Sequence, residues 1–265
     1  MTLAVIPARG GSRRIPRKNV RPFAGRPMIA HAIALAIGSG LFDDVIVSTD
    51  DAEIAEVARG CGASVPFVRP AALADDHAPT VPVIAHAIDA VPRGIPDGEP
   101  VCCLYPCVPL LRASDLAAGL ALLHEGGDLG FAFPVVPFPS PVQRALRRGP
   151  DGRLSPLQPE HVATRSQDLE PAYHDAGQCY WALARTWRAG RPIHADGRGW
   201  VMPAWRTIDV DVPDDWTRAE ALYRAHESGH STAVDGDALR PDDGPGPIGG
   251  ATTDGTRSRA QRRAD

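Results

Sequence analysis

The chain is almost without lysine. Of its 28 basic side chains only Lys18 is a lysine, which leaves 27 arginines. A GC-rich coding sequence is enough to produce that bias, so the bias itself has no functional meaning; the place of the one lysine, inside the most basic motif, does. Long apolar runs are also missing. No stretch approaches the ~20 consecutive apolar residues that span a bilayer. Met1 to Ile6 has neither the basic n-region nor the cleavage site of a secretory signal. The expectation is a cytoplasmic protein with no membrane partner. The five cysteines are odd in number and scattered. Cys103 and Cys107 have no second pair or histidines at zinc spacing, and Cys102 and Cys103 lie in an apolar run that suits small buried thiols. A net charge of −4 argues against general binding to nucleic acid or anionic lipid. No His-Glu-x-x-His and no Gly-x-Ser-x-Gly occurs, so zinc-peptidase and serine-hydrolase chemistry have no support.

What is present reads as an α/β protein. Short aliphatic runs alternate with amphipathic stretches, the pattern of a parallel sheet covered by helices. Strands are expected at Leu3 to Pro7, Val45 to Ser48, Ser64 to Val68, Val101 to Tyr105, Gly130 to Pro134, Gln178 to Ala184 and, shortest and last, Thr207 to Val212. Helices are expected at Pro27 to Ile37, Asp51 to Arg59 (capped by Thr49-Asp50), Thr80 to Ala90, Ser114 to His124 and Asp214 to Ala225. The alternation breaks from about Pro137 to Pro171, where Pro, Arg and Gln replace aliphatic runs. An irregular segment of that length inside a compact domain is functional or an interaction arm. Residues 229 to 265 hold seven Gly, three Pro and no aromatic. Such a segment buries too little apolar surface to offset its ordering entropy, so a disordered tail follows a domain spanning 1 to 228.

Three constellations carry chemistry. The first is Pro7-Ala8-Arg9-Gly10-Gly11-Ser12-Arg13-Arg14-Ile15-Pro16-Arg17-Lys18-Asn19, between a strand and a helix. Glycines let backbone N–H groups turn toward an anion, and five cations in ten residues neutralise it. The Walker A ending and the third glycine of a dinucleotide fingerprint are absent. The pattern licenses a polyphosphate site; the alternative is a basic surface turn with capping glycines. The second is Ile208-Asp209-Val210-Asp211. On a strand both carboxylates share a face, and a divalent cation relieves their repulsion; capping of the next helix by Asp211 or Asp214 is the competing reading. The third is Thr164-Arg165-Ser166-Gln167-Asp168-Leu169 with Tyr173 to Gln178. Arg165 suits a substrate carboxylate or pairs with Asp168. His77, near Asp75 and Asp76, is a further pocket candidate, whereas His31, His86 and His124 read as surface or core-edge residues.

The first segment resembles the nucleotide-binding signature of the acylneuraminate cytidylyltransferases. The resemblance continues through Gly25-Arg26-Pro27-Met28-Ile29, Ser48-Thr49-Asp50-Asp51 with Glu53-Ile54-Ala55, and Arg69 to Asp76, and covers most of residues 3 to 225. It implies a Rossmann-like, mostly parallel sheet flanked by helices, of the nucleotide-diphospho-sugar transferase type, with 137 to 175 inserted as a dimerisation and substrate arm. It further implies CTP bound by Ala8, Arg9, Gly10, Gly11, Ser12, Lys18, Asn19, Arg69 and Thr80. Within that set Arg9 and Lys18 would meet the β- and γ-phosphates, Asn19 the ribose and Arg69 the cytosine. Asp209 and Asp211 become magnesium ligands, and Arg9, Lys18 and Asp211 the catalytic residues. Tyr105, Gln143, Arg165, Gln167 and Tyr173 would bind a nonulosonic acid, in a homodimer that shares parts of its active sites.

Departures from the family pattern bear on the sugar. Enzymes for N-acetylneuraminate typically read Gln-Pro-Thr-Ser-Pro-Leu-Arg where this chain has Tyr105-Pro106-Cys107-Val108-Pro109-Leu110-Leu111, and Asn-Gly is replaced by Asp175-Ala176-Gly177. Tyr105, Phe138 to Leu146 and Tyr173 to Gln178 resemble the pseudaminic acid branch instead. A swapped polar contact changes preference by orders of magnitude because an unpaired buried group is costly. Pseudaminic acid is therefore favoured over N-acetylneuraminate, with legionaminic acid as a further candidate.

Overall fold

Aliphatic alternation in Leu3–Pro7 (β1) sends Leu3 and Val5 to one side and Ala4 and Ile6 to the other, all four fully buried. A strand buried on both faces needs a helical layer on each. The computed structural model describes residues 1–75, 78–125 and 130–231 and has that three-layer form. After β1 come a two-residue ribbon, Pro22–Phe23 (β2) with Arg26–Pro27 (β3), the helix Met28–Ser39 (α1), strand Asp44–Ser48 (β4) and helix Ala52–Gly60 (α2). Then follow Thr80–Ala90 (α3), Pro100–Leu104 (β5), Ala113–Glu125 (α4), Phe131–Pro137 (β6), the hairpin Leu146–Arg148 (β7) with Leu154–Pro156 (β8), Tyr173–Asp175 (β9), Cys179–Leu183 (β10), Ala184–Arg188 (α5), Gly197–Val201 (β11) and Pro213–Ser231 (α6).

The main sheet has the order β11-β6-β10-β5-β1-β4, with β9 added on β6. β1 pairs in parallel with both β4 and β5, and β11 with β6; β10 runs antiparallel between β5 and β6. One face packs Ala4, Ile6, Val47, Leu104 and Trp181 against α1, α2 and α4. The other packs Leu3, Val5, Cys103 and Tyr180 against α3 and Trp187 of α5. The chain leaves β1 toward β4 and returns to β5 on the other flank. That reversal opens a crevice beyond the carboxyl ends of β1 and β5, where open α/β sheets bind ligands.

Several expectations need correction. Ser64 to Val68 is not a strand: one parallel bridge, Ile46 to Ser64, is all it makes. Thr207 to Val212 forms no ladder either, although Ile208 and Val210 are buried while Asp209 is exposed. Apolar anchoring, not sheet pairing, gives that segment its alternation. The cap of α2 is Asp51, whose carboxylate accepts from Ile54 N–H at 3.0 Å, and not Asp50. Edge strand β11 escaped notice because Gly197-Arg198-Gly199 has no aliphatic signal; its glycines are required by packing, since a Cβ on Gly199 would meet Val135 at 2.8 Å. His31 is buried, not at the surface. Helix α6 runs to Ser231, past the expected end at Ala225 and into the expected tail; the rest of that tail, 232–265, and Asp76 and His77 lie outside the described residues. No helix among the described residues is long and apolar enough to cross a membrane.

Candidate active site

The basic loop leaves β1 under tight local control. Ala8 N–H donates to Ser48 O at 2.9 Å, and Gly10 N–H to the Asp50 carboxylate at 3.1 Å. A Cβ on Gly10 would lie 2.5 Å from an Asp51 oxygen, so a side chain there must displace Asp51, whereas Gly11 faces open space. Arg17 adopts a left-handed φ of 58°, rare outside glycine. Its guanidinium turns away from the loop's concave side to Asp51, at 2.6 Å, and to Glu53. Arg17 holds the Asp51 carboxyl below the usual carboxylate range. The remaining cations lie toward the crevice.

That crevice has a volume of about 570 Å³. Arg9, Ser12, Arg13, Arg14, Lys18, Asn19, Arg69, Thr80, Tyr105, Asp209 and Asp211 all line it. The basic loop and the acidic segment, some 190 residues apart in sequence, meet directly. Lys18 Nζ donates to Val210 O at 2.7 Å and lies 3.4 Å from Asp211, which Arg14 also contacts at 2.8 Å. Burial, with the nearby Asp211 charge second, pushes the Asp209 carboxyl up, while Lys18 and Arg14 oppose the rise.

Buried Asn19 donates to Arg9 O at 3.0 Å and accepts from the Cys107 thiol at 3.7 Å, so its amide braces the loop from beneath. Burial pushes the Cys107 thiol up to about 12 against the pull of Lys18, which keeps it neutral. Arg69 is buried against Ser48, its Nε 3.1 Å from the hydroxyl. Burial lowers its pKa to about 10, opposed by Asp50, so it remains charged at neutral pH. The hydroxyls of Thr80 and Tyr105 share a hydrogen bond of 2.8 Å on the opposite wall, and burial raises the Tyr105 phenol to about 12.

The arm residues stand apart. Gln143, Arg165, Gln167 and Tyr173 do not line this crevice. Gln143 donates to Glu170 O at 2.9 Å; Arg165, Gln167 and Tyr173 are exposed, and no ion pair joins Arg165 to Asp168 among the described residues. Sequence reasoning missed Arg14 as the partner of Asp211, and Asp215 as an acceptor for the acidic segment. Asp215, in the first turn of α6, accepts from the N–H groups of Asp211 and Val212 at 3.0 and 2.9 Å and ties the acidic segment to that helix. Either pairing joins side chains or turns that carry no periodic signal.

The donor set fits a hard divalent cation. Two crowded carboxylates face a cationic cleft, and no group of three His, Cys, Asp or Glu side chains converges among the described residues. A magnesium site of one or two carboxylates completed by substrate phosphates has that composition.

Residues 3–141 match the family described as cytidylyltransferase. The chain is similar to the pseudaminic acid cytidylyltransferase of Campylobacter jejuni, 39% identical over 228 residues, which are 85% of this chain and 98% of that protein. It is similar to the CMP-N,N'-diacetyllegionaminic acid synthase of Legionella pneumophila, 30% identical over 233 residues, 85% of this chain and 97% of that one. Among solved structures, CMP:2-keto-3-deoxy-manno-octonic acid synthetase complexed with CTP has a similar fold, with a TM-score of 0.62 over 85% of this chain and 99% of that chain. At 19% identity that likeness speaks to the fold alone.

Proposed function

This chain belongs to the cytidylyltransferase family, and from that premise we propose that it transfers CMP from CTP to the anomeric hydroxyl of pseudaminic acid, releasing pyrophosphate. The observation that carries the reading is the single crevice in which the glycine-containing basic loop faces Asp209 and Asp211.

The anomeric C2 hydroxyl attacks the α-phosphorus of CTP, and the bond to the β-phosphate oxygen breaks. Little covalent chemistry is asked of the protein, so positioning and charge neutralisation dominate. Arg9 and Lys18 hold the β- and γ-phosphates and stabilise the departing pyrophosphate. Entry of the triphosphate draws Lys18 and Arg14 from Asp211 and so frees its carboxylate. Asp209 and Asp211 would hold magnesium, which when bound neutralises phosphate charge. Asn19 keeps Arg9 in place through the loop carbonyl and faces the ribose; Arg69 flanks the cytosine, and Thr80, on the nucleotide side, bonds to Tyr105, on the sugar side. No side chain is assigned as general base.

Pseudaminic acid is preferred because Tyr105 stands where an N-acetylneuraminate enzyme typically has glutamine, and because the Campylobacter relative is more similar than the Legionella one. Legionaminic acid is the second reading. The arm, 137 to 175, completes the sugar site of a partner in a homodimer: Leu146, Leu154, Leu157 and Val162 are all at least half exposed on it, an apolar surface that favours association. Pyrophosphate release, measured with CTP, magnesium and each nonulosonic acid separately, tests the assignment. Release with pseudaminic acid alone supports it, release with legionaminic acid alone transfers it to the second reading, and release with neither rejects both.

A further inference from the structure

The segment that carries Asp209 and Asp211 has no β-ladder to hold it, yet its two carboxylates must be held within fractions of an ångström to share a cation. Its far end is tied by hydrogen bonds, from Asp211 and Val212 N–H to Asp215 and from Lys18 to Val210 O; two more anchors act at Asp209 and before it. One is apolar: Ile208 and Val210 pack with Ile15, Leu110 and Trp216 beneath the crevice. That contact is non-directional and does not by itself set how the Asp209 end of the segment is turned. The other is ionic. Arg206, three residues before Asp209, ends the short turn Ala204–Arg206 and donates both terminal nitrogens to Asp115, at 2.5 and 3.0 Å. Both partners are buried, with 9% and 7% of their surface exposed. Asp115 also accepts from Arg112 N–H at 2.9 Å, so its carboxylate is fixed at the first turn of α4. Helix α4 is itself immobilised: Gly119 lets it approach Trp181 and Trp200 so closely that a Cβ would meet them at 2.5 and 2.6 Å.

We infer that the buried Asp115–Arg206 pair is a positioning element that sets the reach of Asp209 and Asp211 across the crevice, and so sets the affinity for the catalytic cation. This rests on the reading of those two acids as metal ligands. A fork-to-fork pair fixes orientation as well as distance. Stability alone does not call for it, because well-packed apolar side chains stabilise a core at least as well as a buried ion pair. Its place, at the root of the acidic segment and 91 residues from its partner in sequence, fits orientation of the carboxylates.

The test uses Arg206→Lys, which keeps the charge and loses the fork. Mn2+ binding to the CTP complex is followed by electron paramagnetic resonance, and CTP binding without metal by calorimetry. Mn2+ affinity is expected to fall about tenfold, in the range for groups that orient metal ligands, with metal-free CTP affinity changed less than about twofold. Unchanged Mn2+ affinity with a lowered melting temperature would overturn the inference and leave the pair purely structural. Asp211→Ala is run alongside. If Mn2+ affinity survives that change, the metal reading itself falls, and the inference with it. Should Arg206→Lys fail to fold, the double change Asp115→Leu with Arg206→Met removes both charges together; the same loss of Mn2+ affinity supports the inference, and wild-type affinity overturns it.

Discussion

Lys18 is the only lysine in the chain, and its ammonium already touches the acidic segment. It therefore has two partners to choose between, the Val210–Asp211 turn and an incoming phosphate. Lys18→Ala should lower kcat about 10²- to 10³-fold, the usual loss for one preorganised electrostatic contact, with an unchanged circular dichroism spectrum. Near-normal turnover would remove Lys18 from the mechanism. Asp211→Ala should abolish activity at any magnesium concentration; a fully active variant would make that carboxylate structural. The two glycines of the loop are not equivalent. Gly10→Ala forces a methyl into Asp51, which Ile54 N–H and Arg17 pin in place, and should cost about 1–3 kcal/mol. Gly11→Ala meets nothing and should stay within about 0.5 kcal/mol. Urea unfolding of both variants decides this, and equal losses would mean that the clash at Gly10 is not what matters.

At the scale of elements, the join between α1, the β2–β3 ribbon and α6 is made by aromatic edges. His31 packs against Phe23 and Tyr223, and Phe23 against Trp216 and Tyr223, with ring centroids 5.1 to 5.6 Å apart. The His31 imidazole N–H donates to Phe23 O at 3.0 Å. Burial lowers the His31 pKa below 6.5, the Phe23 bond only partly opposing it. The folded protein thus binds fewer protons than the unfolded chain below that pH. The stability contributed by neutral His31 is complete above pH 6.5 and is lost as pH falls through the folded value. Thermal melts should show a decline on the acid side of pH 6.5, and His31→Gln, which can still donate to Phe23 O, should flatten it. An unaltered slope in that variant would place the titrating group elsewhere. The same join matters for the site, since Trp216 and Phe23 share a cluster with Ile208 and Val210.

For the whole molecule, the arm is a place where several large apolar side chains stand exposed close together in sequence. The β7–β8 hairpin displays Leu146 and Leu154 at 56% and 62% exposure, and neither lines the crevice. If a second copy covers it, sedimentation should show a dimer at micromolar concentration. Leu154→Asp with Leu157→Asp should then give a folded monomer with lowered turnover. A wild-type monomer would reject the shared-site proposal while leaving the nucleotide crevice untouched.

Sequence alone determined what depends on local pattern and on backbone chemistry. Buried strands β1, β4, β5 and β10, the amphipathic helices, the glycine–cation loop and the alternation at 208–211 are all written in short-range periodicity and composition. Where a segment's structure depends on distant partners, local pattern misled. Ser64 to Val68 has the composition of a strand but gains only one bridge, and β11 lacks aliphatics but finds β6 beside it. Only the tertiary structure decided that Asp209 and Asp211 stand on a ladderless segment tied to Asp115, and that Arg17 serves Asp51 while Arg14 and Lys18 serve Asp211. Ion pairs between residues far apart in the chain follow from three-dimensional proximity, which no local periodicity encodes.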